Sequence, residues 1–238
     1  MRRVYDAAVI AMHLANAAAM WASRAPGAER SGDYLLAEHP AGARVVLLTA
    51  GARPEHVLAL APRRTLVVED AYGVIDPHAG TLHMPVMIRQ PGRMPAVPAQ
   101  GVRVTAVTDP AQLAVAERVM VDGFPLPAYQ PWSAGQALPP ALLTEPGWRV
   151  WLASCDGEPA AAGCTYDDGT AVGVYWLATL PRHRSRGAGR TLLTTALAAR
   201  PDRHFTLVAT EAGQPLYESL GFATAGLAAW HTRPPLTS

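Results

Sequence analysis

The stretch 177–193, LATLPRHRSRGAGRTLL, constrains this chain more than any other. An apolar run from Val172 to Leu180 is stopped by Pro181, and four basic residues follow, Arg182, His183, Arg184 and Arg186. Gly187, Ala188 and Gly189 come next, and an apolar helical pattern opens at Arg190. A strand, a glycine turn and a helix start in that order form a device for holding phosphate. The first N–H groups of a helix have no intrahelical partner, and the helix dipole adds partial positive charge there. Glycine lets the backbone turn tightly and approach a ligand without a Cβ in the way. The sequence has no lysine, so a phosphate contact must use arginine, histidine or backbone.

The 238 residues are enough for one large domain or two small ones. Half are apolar and 16% are charged, which supports a packed core and excludes a disordered chain. The net charge of +1 gives no bulk electrostatic case for nucleic acid or an acidic membrane as partner. Two cysteines, Cys155 and Cys164, are too few for a disulfide scaffold or a zinc site of the usual kind. They read as small core residues in a reducing compartment, and no metal is expected. Arg2 and Arg3 precede AAVIAMHLANAAAMWA, which has the outline of a signal peptide. His13 and Asn16 interrupt that run, and Val9, Met12, His13, Asn16, Met20 and Trp21 fall at helical spacing. A folded amphipathic helix is expected instead, in a cytoplasmic protein with no membrane span.

Taken in order, 4–23 reads as a helix, 33–38 and 43–49 as strands, 54–61 as a helix opened by Pro54, and 65–69 as a strand. LHMPVMIR at 82–89 is another strand, which Pro85 demotes to an edge or a bulge. Three prolines and a glycine in 90–100 make the best linker candidate. The pattern then restarts. A strand at 102–107 leads to a helix capped by Thr108 or Asp109, and 122–140 is an irregular loop holding Phe124, Tyr129 and Trp132. Strands follow at 148–155, 160–166 and 171–180, then the glycine turn, a helix, a strand, a short helix and a last strand near 222–231. This is an α/β or α+β pattern, a sheet with helices on its faces.

These motifs resemble those of the GNAT superfamily of acyl-CoA-dependent N-acyltransferases. Its signature R/Q-x-x-G-x-G/A is matched by Arg184-Ser185-Arg186-Gly187-Ala188-Gly189, and its preceding V-x-P by Thr179-Leu180-Pro181, with Thr in place of Val. Its later L-Y-x-x-x-G-F is matched by Leu216 to Phe222. The Asn often found seven positions before that Tyr is Thr210 here. The resemblance implies a mixed, mostly antiparallel sheet flanked by helices over 101–238, joined by the linker 91–100 to a smaller α/β pseudo-domain at 1–90. That first part resembles the degenerate N-terminal half of tandem bacterial GNAT proteins and has no glycine-rich loop. An unrelated substrate-binding or dimerising cap is the alternative for it.

The resemblance also implies roles. Acetyl-CoA would be the cosubstrate, its pyrophosphate held by the segment Arg184, Ser185, Arg186, Gly187, Ala188, Gly189 and Arg190. Its pantetheine arm would pair with the strand edge at Leu177, Ala178 and Thr179, with Thr210 also on the donor side. Tyr217 would protonate the departing thiolate, and Glu211 is a candidate base, with Asp122 and Tyr175 as others. Phe124, Tyr129, Trp132 and Tyr175 would line the side of a small-molecule amine acceptor. A homodimer is left open. Each assignment has a structural alternative: Tyr217 as a core aromatic, the loop aromatics as packing for the sheet, and the two glycines as a tight strand-to-helix connection. An acyl-CoA-binding regulatory or structural module without transfer activity is the alternative function.

Overall fold

The computed structural model of the chain describes residues 6–95, 98–124 and 126–236. Its elements in chain order are α1 (Ala7–Arg24), β1 (Glu29–Arg30), β2 (Tyr34–His39), β3 (Gly42–Leu47), α2 (Pro54–Ala59), β4 (Leu66–Asp70) and β5 (Leu82–Arg89). After them come β6 (Val102–Ala106), α3 (Pro110–Gly123), β7 (Trp148–Cys155), β8 (Glu158–Asp167), β9 (Ala171–Thr179) and α4 (Ala188–Ala198). The chain closes with β10 (His204–Val208), α5 (Gln214–Glu218) and β11 (Ala223–Arg233). Contacts divide it into two compact units, 1–89 with 206–238, and 90–205. Both are mixed α/β structures with mostly antiparallel strands flanked by helices.

In the first unit α1 starts at Asp6, whose carboxylate accepts the N–H groups of Ala8 and Val9. Its many alanines favour helix, and the 3.6-residue period buries Val9, Ile10, His13, Leu14, Ala17 and Trp21. No described helix is long and apolar enough to cross a membrane. β2 and β3 form a hairpin, and β3 and β4 run parallel, joined through α2. β11 then lies between β4 and β5, antiparallel to both, so that Trp230 opposes Glu69 on one side and Leu82 on the other. The core gathers Val45, Leu47, Val57, Leu66, Val68 and Ile75. His13 of α1 is buried with both ring nitrogens engaged, Nε2 at 2.9 Å from Glu69 Oε1 and Nδ1 at 2.9 Å from Thr206 Oγ1. It is a satisfied core histidine.

Pro85 lies beside a bulge but not at an edge. Pro85 argued for an edge or bulged position, yet β5 has β11 on one side, and on the other the Pro85 carbonyl accepts the Ala209 N–H at 2.9 Å. Proline lacks only a donor, and the partner strand β11 slips register between Thr224 and Gly226 close by. The division at 91–100 grouped 206–238 with the second half of the sequence. By contact those residues pack into the first unit, because β11 fills the place between β4 and β5.

The second unit is an antiparallel meander in the order β6-β7-β8-β9. Alternate residues serve its two faces. Trp151 and Ala153 pack with Leu192 and Ala196 of α4, while Cys164 faces Met120 of α3 at 3.9 Å between sulfurs. Asp109 caps α3 by accepting the Gln112 N–H at 2.9 Å, with Pro110 at the first helical position. Both cysteines are buried thiols outside any disulfide among the described residues.

Candidate functional site

The sequence of β8 and β9 builds a bulge at the place where the motif begins. Ala162 pairs with Ala178 and Cys164 with Tyr175, so Gly163 alone faces both Trp176 and Leu177. Trp176 is held at φ +51°, a left-handed conformation that is costly for a bulky residue. Gly163 permits this: a Cβ there would stand 3.2 Å from the Leu177 Cα. The bulge bends the strand and re-aims the backbone groups of Leu177, Ala178 and Thr179. Neither Gly163 nor Trp176 was singled out in the sequence. A glycine inside a strand pattern was the signal that pointed there.

Beyond Pro181 the chain makes one turn of 3-10 helix and enters the glycine segment with Ser185 at φ +61° and Gly187 at φ +80°. α4 opens at Ala188 with no side-chain cap. No acceptor among the described residues takes the backbone N–H groups of Ser185 to Gly189. They form an uncapped helix start of the kind that accepts an anion. Gly187 is required twice, by its φ and by Ala99 of the preceding segment, whose Cβ would lie 2.8 Å from an added Cβ. A Cβ on Gly189 would meet Thr179 Oγ1 at 2.9 Å, so α4 packs closely on the end of β9. The arginines divide. Arg186 is ion-paired with Asp156 in the β7–β8 turn. Arg184 is exposed and leans on the Thr179 carbonyl at 3.4 Å, which leaves its guanidinium free to swing to an incoming anion.

The loop after α3 is fixed by a residue that sequence reasoning passed over. Glu117 is fully buried on α3, and its carboxylate accepts three backbone N–H groups, from Gly135 at 2.8 Å, Ala137 at 2.5 Å and Leu138 at 2.8 Å. Of the expected acceptor-side aromatics, Tyr129 is buried and Phe124 caps the end of α3, while Tyr175 is half-buried on β9. Trp132 lines a cavity of about 380 Å³, together with Arg118, Asp122, Leu180 and Arg182. The Arg118 guanidinium stacks 5.2 Å from the Trp132 ring and binds Asp122 at 3.2 Å. The buried Trp132 indole N–H has no hydrogen-bond acceptor among the described residues.

The second motif lies in the first unit. Tyr217 is buried on α5, edge-on to Phe222 with ring centroids 5.8 Å apart. Burial pushes its hydroxyl up to about 12, so it keeps its proton at neutral pH. Thr210 spends its hydroxyl on the Gly213 N–H, at 3.2 Å, in the turn that starts α5. Glu211 is exposed beside it. The first unit also contains a strand–turn–helix–strand passage of its own, β3 to β4. There Asp33 Oδ1 accepts the Thr49 hydroxyl at 2.6 Å, close to Gly51 at the turn before α2. A carboxylate in that turn repels a phosphate.

Residues 146–224 match the family model described as an acetyltransferase (GNAT) domain. That stretch, a third of the chain, is similar to a GNAT acetyltransferase domain. The match spans β7 to β9, the glycine segment and Tyr217. Solved structures resemble the chain over nearly its whole length. A GCN5-related N-acetyltransferase from Kribbella flavida is 19% identical, with 98% of this chain and 97% of that chain covered and a TM-score of 0.67. One from Sphaerobacter thermophilus is 12% identical, with 97% and 93% covered and a TM-score of 0.59. A tandem GNAT protein from the clavulanic acid biosynthesis pathway is 18% identical, with 97% and 94% covered and a TM-score of 0.57. At these identities the likeness is one of fold. A search of curated proteins returned no match.

Proposed function

We propose that the chain is an N-acetyltransferase that uses acetyl-CoA and acts on the amine of a small molecule by direct transfer. The observation that carries this reading is the uncapped run of N–H groups from Ser185 to Gly189, set directly after a bulged strand. A pyrophosphate suits that run, with Arg184 as the mobile counter-charge. The edge at Leu177 to Thr179 suits the amide-rich pantetheine arm, which can add to a strand as a peptide does. Acetyl-CoA supplies a thioester carbonyl open to attack by an amine, with a thiolate as leaving group. A backbone N–H near the bulge polarises the carbonyl. On the resemblance of its motif, Tyr217 returns a proton to the thiolate sulfur and regains one from the attacking amine, which gives up its proton through solvent. The acceptor is assigned to the cavity at Trp132, whose size suits a small molecule.

The test is binding followed by turnover. Acetyl-CoA raises the melting temperature by mass action on the folded chain, and an amine panel releases free CoA thiol. Absence of both results overturns the proposal. A second reading, a CoA-binding module without transfer, draws on Thr210, whose hydroxyl is committed to a turn where the family often has Asn. It expects the thermal shift without thiol release.

A further inference from the structure

A cavity of about 360 Å³ opens at the C-terminal end of α4, and no part of the reaction proposed above uses it. The glycine segment sits at the other end of the same helix. Eleven residues at 1.5 Å each put the two ends roughly 16 Å apart. One wall is apolar, made by Trp151 of β7 with Ala196 and Ala199 of α4. The indole is fixed, because its N–H donates to Thr165 Oγ1 at 3.0 Å. The small alanines keep the helix from filling the space beside it.

The rest of the lining is charged and unbalanced. Arg149, Arg200 and Arg203 surround one carboxylate, Asp167. Asp167 is already held by Arg200 at 2.6 Å and lies 3.8 Å from Arg203. Arg149 is exposed and has no ion pair among the described residues, and the buried Nε of Arg203 has no hydrogen-bond acceptor. A purely structural role for Asp167 needs one arginine. Asp202 also lies 3.7 Å from Arg200 and 3.9 Å from Arg203, so the three arginines outnumber the carboxylates paired with them by one, and the uncompensated charge is that of Arg149.

We propose that this cavity is a second ligand site, for a planar monocarboxylate of the aryl carboxylate class. Guanidinium forks match a carboxylate in two parallel hydrogen bonds. The indole and alanine wall gives a flat apolar body something to lie against. The volume falls in the range of small-molecule pockets. Asp167 selects for single charge, since a phosphate dianion would stand against a second anion at close range.

The site is tested by titrating the intact protein with benzoate and indole-3-carboxylate, and with benzamide as the neutral counterpart. Tryptophan fluorescence and ligand-observed NMR give the readout. Saturable carboxylate binding is expected, with benzamide about tenfold weaker or worse. Arg149→Gln is expected to weaken carboxylate binding about tenfold while leaving the melting temperature and the acetyl-CoA affinity unchanged. Arg203→Gln gives a second, independent loss. Binding that does not saturate overturns the proposal, as does equal binding of benzamide, indifference to Arg149→Gln, or displacement of the carboxylate by CoA. These outcomes do not depend on whether the chain transfers acetyl groups.

Discussion

Burial holds the Tyr217 hydroxyl in its neutral form, and that has both a kinetic and a thermodynamic consequence. Tyr217→Phe is expected to lower kcat by about 10- to 100-fold with acetyl-CoA affinity unchanged, measured by thiol release and calorimetry. The folded state favours the protonated phenol, so its contribution to stability is complete below the ordinary tyrosine value near 10. It is lost as pH rises from 10 towards about 12. Denaturation curves across that window should show a loss on the order of 2–3 kcal/mol, which Tyr217→Phe removes. Gly187 carries a separate prediction. Alanine there must adopt φ +80° and press on Ala99. Gly187→Ala is expected to cost about 1–2 kcal/mol of stability and to weaken acetyl-CoA binding, as thermal melts with and without the ligand will show.

Among the elements, the loop after α3 depends on one side chain. Glu117→Gln replaces a carboxylate oxygen with an NH2 group facing backbone donors, a loss of about 2–4 kcal/mol. Hydrogen exchange should speed up at Ala137 and Leu138 while the strands of the meander keep their protection. Nothing in the sequence singled out Glu117. A glutamate on a helix reads as solvated surface, and its three partners lie about twenty residues on in an irregular loop. Elements with local causes were legible. Asp109 and Pro110 started α3 where expected, and the alternation from Trp148 onward gave the meander. The glycine segment was legible because its requirements are local too, a positive φ and an open helix start. The bulge at Trp176 was not, because it is set by Gly163 on the neighbouring strand. Pro85 marked the bulge in the β5–β11 pair but not that β5 has neighbours on both sides, since a strand's neighbours are set by residues far along the chain.

At the scale of the whole molecule, the first unit is not a contiguous piece of sequence. A fragment of residues 1–100 lacks β11, leaving β4 and β5 each with an unpaired edge. It is expected to be insoluble or unfolded, and co-expression with a fragment carrying 206–238 should recover soluble material. Circular dichroism and size-exclusion chromatography of the two preparations decide it. The same arrangement sets a clock on the ribosome. β5 emerges long before β11, and the residues between them take roughly 10 s or more to synthesise at ordinary rates. For that interval the nascent chain presents two hydrophobic strands whose partner does not yet exist. The second unit can fold while it is still being threaded out. The first must wait until β11 has been made, so its yield in a cell depends on whatever shields those strands in the meantime.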